Sequence, residues 1–223
     1  MTTLLALDTA TEACSVALLH NGEVISHYDV IPRLHAQRLL PMIQQLLAES
    51  GVSLNALDAI AFGRGPGAFT GLRTACSVAQ GLAFGADLLV LPIDTLLAVA
   101  EEARFSSDTS QIQAVLDARM GEVYAASYAY NEGVWNTHSD IQLCKPDQLQ
   151  FEAGFRLAGN CLDDAHRIQA LPTATAMLRL APAMLAAGLG VPADQALPLY
   201  VRDKVAQTTA ERAALKLNVP VTN

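Results

Sequence analysis

The stretch Gly63-Arg64-Gly65-Pro66-Gly67-Ala68-Phe69-Thr70-Gly71-Leu72-Arg73 constrains this chain more than any other. The apolar run Ala59-Ile60-Ala61-Phe62 before it has the character of a buried strand, and the apolar segment from Thr74 to Gly85 after it that of a buried helix. Glycines 63, 65 and 67 permit positive φ and the close approach of another group. Thr70 is the expected N-cap of the following helix, and the free N–H groups of a helix start favour an anion. The spacing is not the dinucleotide-binding one, and no Lys-Ser/Thr follows as in a P-loop. Two readings stay open: a phosphate cradle, or a tight turn and helix cap that binds nothing.

The chain has 223 residues, enough for one large domain or two small lobes. Hydrophobic residues make up 52% and aromatics 5%, so the core is expected to be mostly Ala, Leu and Val, with little disorder. The net charge of −8, with 14 scattered basic residues, makes the chain a poor holder of nucleic acid by itself. Any RNA contact is expected to fall mostly to another subunit. Cysteines 14, 76, 144 and 161 form no C-x-x-C pair, which points to a reducing compartment with neither disulfides nor zinc. Met1 to Asp8 has no basic leader, so no signal peptide is expected. The longest apolar stretch, Leu180 to Ala193, contains Pro182 and Pro192 and falls short of the roughly 20 residues that span a bilayer. A cytoplasmic protein without membrane contact is the expectation.

Along the chain, Leu4-Leu5-Ala6-Leu7 has the continuous apolar character of a central strand and ends at Asp8-Thr9-Ala10-Thr11. Strands are expected over 13–19 and 24–30, joined by an Asn21-Gly22 hairpin turn. Leu39, Leu40, Ile43, Leu46 and Leu47 recur at helical spacing between His35 and Ser50, with Pro41 at a first turn or kink and Gly51 as stop. A strand over 88–91 and a helix over 95–104 follow. The polar link 105–110 suggests a lobe boundary, giving lobes 1–105 and 106–206 and a partly ordered tail over 207–223. The second half repeats the opening: a strand ending in Asp117, a strand over 123–130 and a turn at Asn131-Glu132-Gly133. Strands over 141–143 and 156–158 are then expected, with helices over 146–151, 162–170 and 174–188.

Four blocks stand together: Leu7-Asp8-Thr9-Ala10, the Gly65–Arg73 stretch, Asp117-Ala118-Arg119 with Glu122-Val123-Tyr124, and Pro198-Leu199-Tyr200-Val201-Arg202-Asp203. Their order and spacing closely resemble the bacterial TsaB (YeaZ) family over almost the whole chain. The resemblance implies an α/β, two-lobed fold of the actin, sugar-kinase and heat-shock-ATPase (RNase H-like) superfamily, each lobe led by a β-meander. It implies a part in making threonylcarbamoyladenosine, next to the anticodon of tRNAs that read codons starting with A. In that pathway the related TsaD carries the catalytic centre and the ATPase TsaE joins the pair. The catalytic relative has a metal-binding H-x-x-x-H after the strand that follows the glycine-loop helix. Here Pro92 to Val99 holds no His, and the five histidines, at 20, 27, 35, 138 and 166, form no such pair elsewhere.

The expected site is therefore non-catalytic and metal-free, with no resident cofactor. Asp8, Thr9, Gly63, Gly65, Gly67, Thr70, Gly71 and Asp117 are candidates for a vestigial, weak nucleotide or phosphate site, against the alternative that Asp8 and Asp117 are turn-capping acids. The helices at 35–50 and 70–85 supply an expected partner interface: His35, Arg38, Leu39, Met42, Gln45, Leu46, Leu72, Arg73, Cys76, Ala79 and Gln80. TsaD is the expected partner there, with a homodimer through the same face in isolation, and tRNA reached only through the complex. Arg73 is equally placed for an anion, a partner acid or a surface ion pair. The alternative reading is a stand-alone magnesium-dependent ATPase or phosphotransferase of the same fold. A peptidase finds no support, since no H-E-x-x-H and no evident base beside a Ser or Cys is present.

Overall fold

The computed structural model describes residues 2–162 and 165–202. Two sheets lie on either side of a helical layer. The first has strand order β3-β2-β1-β4-β5, made of β1 (Leu4–Asp8), β2 (Ala13–His20), β3 (Glu23–Val30), β4 (Ala59–Gly65) and β5 (Leu89–Asp94). β1, β2 and β3 form the antiparallel meander, and β4 and β5 add in parallel. The second sheet has the order β11-β10-β6-β7-β8, with β9 also on β7: β6 (Gln111–Arg119), β7 (Glu122–Asn131), β8 (Val134–Thr137), β9 (Gln142–Cys144), β10 (Arg156–Gly159) and β11 (Ile168–Gln169). Here β6, β7 and β8 are the meander, and β10 and β11 are the parallel additions. The duplicated plan is thus present in strand order. It extends to the hairpins, where Asn21-Gly22 (φ 53 and 83) and Glu132-Gly133 (φ 50 and 86) both take the left-handed pair of dihedrals that matches strand twist.

β1 is buried at every position because both of its faces are covered. Leu5 and Leu7 face α1 (His35–Ser50) and α2 (Phe69–Ala86), joining Phe62, Leu39, Ile43 and Leu46. Leu4 and Ala6 face α4 (Ala174–Ala186), joining Ala59, Ala61 and Met177. The small side chains on that second face let α4 lie close. α3 (Thr95–Ser107) packs Leu96, Val99 and Ala103 on Ile112, Ala114, Leu116 and Tyr128 of the second sheet. Each half of the chain thus ends in a helix that covers the other half's sheet. The sequence-based division at 105/106 does not describe packing for this reason: α3 serves the second sheet, and α4, placed in the second lobe, serves the first.

Three further expectations change. The helix over 146–151 is one 3-10 turn, Pro146–Gln148, because Leu149 is the only side chain of that stretch that enters the core. Within the expected helix over 162–170, residues 163 and 164 lie outside the described residues, and Ile168 and Gln169 form β11 by pairing with Ala158 and Gly159. β8, absent from the expectation, forms because Trp135 pairs with Tyr130 across the hairpin. Among the described residues the second half therefore has no counterpart of α1 and α2. The expected tail over 207–223 lies outside the described residues.

A buried carboxylate joins the interior helices. Glu101 of α3 is 2% exposed and accepts hydrogen bonds from Arg104, from Trp135 Nε1 of β8 and from Arg179 Nε of α4, at 2.8–3.0 Å. Burial alone would raise its pKa; the hydrogen bonds from Arg104 and Trp135 and the charges of Arg104 and Arg179 outweigh it, and the carboxyl sits below its ordinary value. Glu101→Ala would leave two guanidiniums and an indole N–H without their acceptor. Both arginines are a quarter exposed, so the expected loss is about 2–4 kcal/mol, at the low end of breaking a buried pair, read as a lowered urea midpoint.

Candidate functional site

The glycine loop is docked backbone-to-backbone on the turn at the end of β1. The Ala68 N–H donates to Ala10 O at 2.7 Å, and Thr9 Oγ1 donates to Gly71 O at 2.7 Å. A Cβ on Gly67 would lie 2.5 Å from Ala10 O, and one on Gly71 would collide with the Thr9 carbonyl. Gly65, at φ 124, lies under the C-terminal segment, where a Cβ would meet Leu199 O at 2.6 Å. Gly63 makes room for the Asp8 carboxylate and the Met177 methyl. These glycines serve close packing of chain on chain rather than an open phosphate cradle. Thr70 is not the N-cap: the helix starts at Phe69 after Ala68, which makes no side-chain cap, and Thr70 is exposed in the first turn.

The two strand-end acids behave differently. Asp117 is half-buried; its Oδ1 accepts from Arg119 N at 2.7 Å and its Oδ2 pairs with Arg119 Nη1 at 2.9 Å. It caps its own turn, as the second of its two sequence readings has it. Asp8 is fully buried. Its Oδ1 accepts from Ala10 N at 3.0 Å, and its Oδ2 has no partner among the described residues. Burial pushes its carboxyl up to about 7, with the Ala10 hydrogen bond lowering it in part. Among the described residues no three His, Cys, Asp or Glu side chains are grouped to hold a metal ion. Two small cavities lie between the lobes: one of about 180 Å³ is lined by Phe69, Leu72, Met120, Tyr124 and Leu199 to Arg202, and one of about 40 Å³ lies beside Asp117 and Asn160. A carboxyl walled in by Gly63 and Met177, an acid already paired to Arg119 and cavities of this size do not fit a magnesium–nucleotide group.

The segment at 196–202 straps the lobes together across the loop. Ala196 O accepts from Gln80 Nε2 and from Cys76 Sγ. Leu199 N donates to Arg64 O at 2.7 Å. Tyr200 OH accepts from Arg73 Nε at 2.9 Å, and Arg202 pairs with Glu122 at 2.6 Å while donating to Ala118 O at 3.1 Å. Sequence reasoning singled out this block without a role for it. Its partners, such as Arg73 and Tyr200 at 127 residues apart, carry no local signal.

The helix pair divides its residues differently from the expected interface. Leu39, Met42, Leu46, Cys76 and Ala79 are buried in the chain's own core, because the apolar stripe of each helix faces the sheet, while Leu72 is buried at the cavity between the lobes. His35 is half-buried, Arg38 pairs with Asp29 at 3.1 Å, Gln45 is exposed and bonded to Glu49, and Arg73 and Gln80 hold the strap. The outer face presents other residues: Leu40 (43% exposed), Phe84 (84% exposed), Ser77, Gly81 and Gly85. A Cβ on Gly81 or Gly85 would meet nothing within 4 Å. The signal for this face is the i, i+4, i+8 spacing of three small residues beside an unburied Phe.

The chain matches the family model described as TsaD, tRNA N6-adenosine threonylcarbamoyltransferase, over residues 27–220. It is 40% identical to the tRNA threonylcarbamoyladenosine biosynthesis protein TsaB of Escherichia coli K12, across 91% of this chain and 96% of that one. It is 42% identical to the protein of the same name from Haemophilus influenzae, across 91% and 94%. A solved structure of YeaZ from Pseudomonas aeruginosa is 46% identical, covers 90% of this chain and all of its own, and superposes with a TM-score of 0.83.

The Asp8 carboxyl sets a pH dependence. Its folded pKa, about 7, lies above the unfolded value of 3.8, so the folded state holds the proton more tightly. The associated stability is fully present below pH 3.8, declines as pH rises from there to about 7, and is absent above. At about 1.4 kcal/mol per pH unit the whole effect is at most about 4 kcal/mol. Asp8→Asn removes the titration, so the loss of stability between about pH 5 and pH 8 is expected to shrink by about 2–3 kcal/mol in urea unfolding.

Proposed function

The chain belongs to the TsaB family of tRNA threonylcarbamoyladenosine biosynthesis proteins, and from that premise we propose that it is a non-catalytic subunit that binds and activates the threonylcarbamoyl-transferring protein TsaD. In this reading the ATPase TsaE joins the pair, and the assembly modifies the adenosine beside the anticodon of tRNAs reading A-starting codons. The observation that carries it is the outer face of α1 and α2. Leu40 of α1 and Phe84 of α2 stand exposed, and the small residues Ser77, Gly81 and Gly85 leave the α2 backbone open to close approach by another helix. In isolation the same face is proposed to hold a second copy of the chain.

The non-catalytic part rests on the cleft. The loop glycines are in contact with Thr9, Ala10 and Leu199, and Asp8 is buried without a cation partner among the described residues. No resident cofactor is proposed. Thiol chemistry is disfavoured as well: burial pushes Cys14 up to about 12 and Cys161 up to about 11, leaving little thiolate at neutral pH. Among the described residues no helix is long and apolar enough to cross a membrane. The proposed location is the cytoplasm, with most of the tRNA contact made by the other subunits.

The test is ATP turnover and threonylcarbamoyl transfer by TsaD and TsaE with and without this chain, alongside the chain alone. The chain alone is expected to be inert, and the transfer to depend on it. Phe84→Glu and Gly81→Arg are expected to weaken TsaD binding in calorimetry at least about tenfold, the order of losing a central interface contact. Arg38→Glu and Gln45→Glu, at the edge of the face, are expected to do less. Turnover by the chain alone that Asp8→Asn abolishes would instead establish a magnesium-dependent ATPase.

A further inference from the structure

At the mouth between the lobes, the strap and the start of α2 expose a group of side chains that the proposed partner face does not use. Phe69 is 40% and Tyr200 45% exposed, with ring centroids 5.3 Å apart and planes tilted by 35°. The Arg73 guanidinium lies 3.9 Å over the Phe69 ring and donates to Tyr200 OH. Met120, 63% exposed, stands on the other lip. Arg73 has no carboxylate partner among the described residues, while Arg119 and Arg202 each pair with one, Asp117 and Glu122. On a chain of net charge −8, this mouth thus gathers three guanidiniums against two carboxylates. Behind the rings lies the cavity of about 180 Å³, closed by Leu72, Tyr124 and Val201. That is smaller than a site for a drug-sized ligand and suits one planar group.

We propose that this mouth receives an unpaired nucleotide of an RNA strand, its base on the Phe69–Tyr200 platform and its flanking phosphates on Arg73 and Arg119. Aromatic faces with an arginine between them favour a flat π system, and unstacked RNA bases are recognised on such platforms. An acidic peptide would use the arginines and leave the ring faces idle. Stacking of this kind is tolerant of sequence, so the contact positions the strand and does not select the base. The inference rests on the proposed function only for the identity of that RNA as the pathway's tRNA. Binding itself belongs to the isolated chain.

The experiment uses the full chain and a fluorescein-labelled hexaadenylate RNA, followed by anisotropy across a salt series. Saturable binding is expected, with a log–log salt slope of about −1.4 for two phosphates, falling to about −0.7 in Arg73→Ala. Phe69→Leu and Tyr200→Leu are expected to weaken binding at least about fivefold with the slope unchanged. Arg156→Ala, paired with Ile112 at the end of β6 opposite Arg119, serves as the control and binds as wild type. Tyr200 also packs in the strap, so its variant counts only with an unchanged melting temperature. Arg73→Lys supplies an independent reading, retaining the slope while losing the stacked guanidinium and part of the affinity. Absence of saturable binding, or variants that all bind as wild type, overturns the proposal. So does tighter binding of a labelled pentaglutamate peptide ending in Phe, which would make the mouth a peptide dock. These outcomes are read without TsaD, so failure here and failure of the activator role are separate results.

Discussion

The carbonyls of Thr9 and Ala10 lie against Gly71 and Gly67 with no room for a Cβ between them. That contact joins the end of the central strand to the start of α2 through the Ala68–Ala10 and Thr9–Gly71 hydrogen bonds. Much else depends on it. It fixes where α2 leaves the sheet, and hence which of its residues face the core and which face outward. It places Gly63 against Asp8, so that the strand-end acid is enclosed rather than presented. It also sets the loop carbonyl of Arg64 where Leu199 can bond to it, which brings the strap across the cleft. A backbone motif that in an open form would suit an anion is here closed by the chain itself.

The same closure sets the environments of the two strand-end acids. A carboxyl with burial on every side and one backbone hydrogen bond favours its proton, which is why Asp8 reaches about 7. Asp117, in the equivalent place of the second half, is about a third exposed and pairs with Arg119. Duplication of the strands did not duplicate the environments.

The duplication is also incomplete in the helices. Both halves keep the terminal helix that lies between the sheets, because α3 and α4 complete each other's layer and share the Glu101–Arg104–Arg179 cluster. Among the described residues only the first half keeps an outer pair. The second sheet's outer face is covered by a small group around Leu149, Leu157 and Val123 instead. The described residues consequently form one helical outer face, and on it stand the exposed Phe84, Leu40 and the bare backbone of Gly81 and Gly85.

Much of this was legible in the residues. Continuous apolar runs marked β1 and β4, Asn21-Gly22 marked the first hairpin and the Gly133 turn its repeat, and helical spacing marked α1. Each is a local signal, decided within a few residues by backbone sterics and by burial on one or two faces. The four sequence blocks likewise sufficed to resemble one family. What local signals misjudged were the segments settled by distant partners. The stretch before Ala170 pairs as a strand because β10 is waiting beside it, and β8 forms around Trp135. Leu39, Met42, Leu46, Cys76 and Ala79 carry the right chemistry for an interface, yet the sheet takes them first, since an amphipathic helix buries its apolar stripe on the nearest apolar surface, while Leu72 is buried at the cavity between the lobes. Thr70 has a capping side chain but not the capping position. The sequence by itself determined the strand-and-loop grammar, the family and the duplicated plan. Only the tertiary structure decided that the glycines close on Thr9, Ala10 and Leu199, that Asp8 is enclosed, and which helix face is left bare, because each of these depends on contacts between residues tens to more than a hundred positions apart.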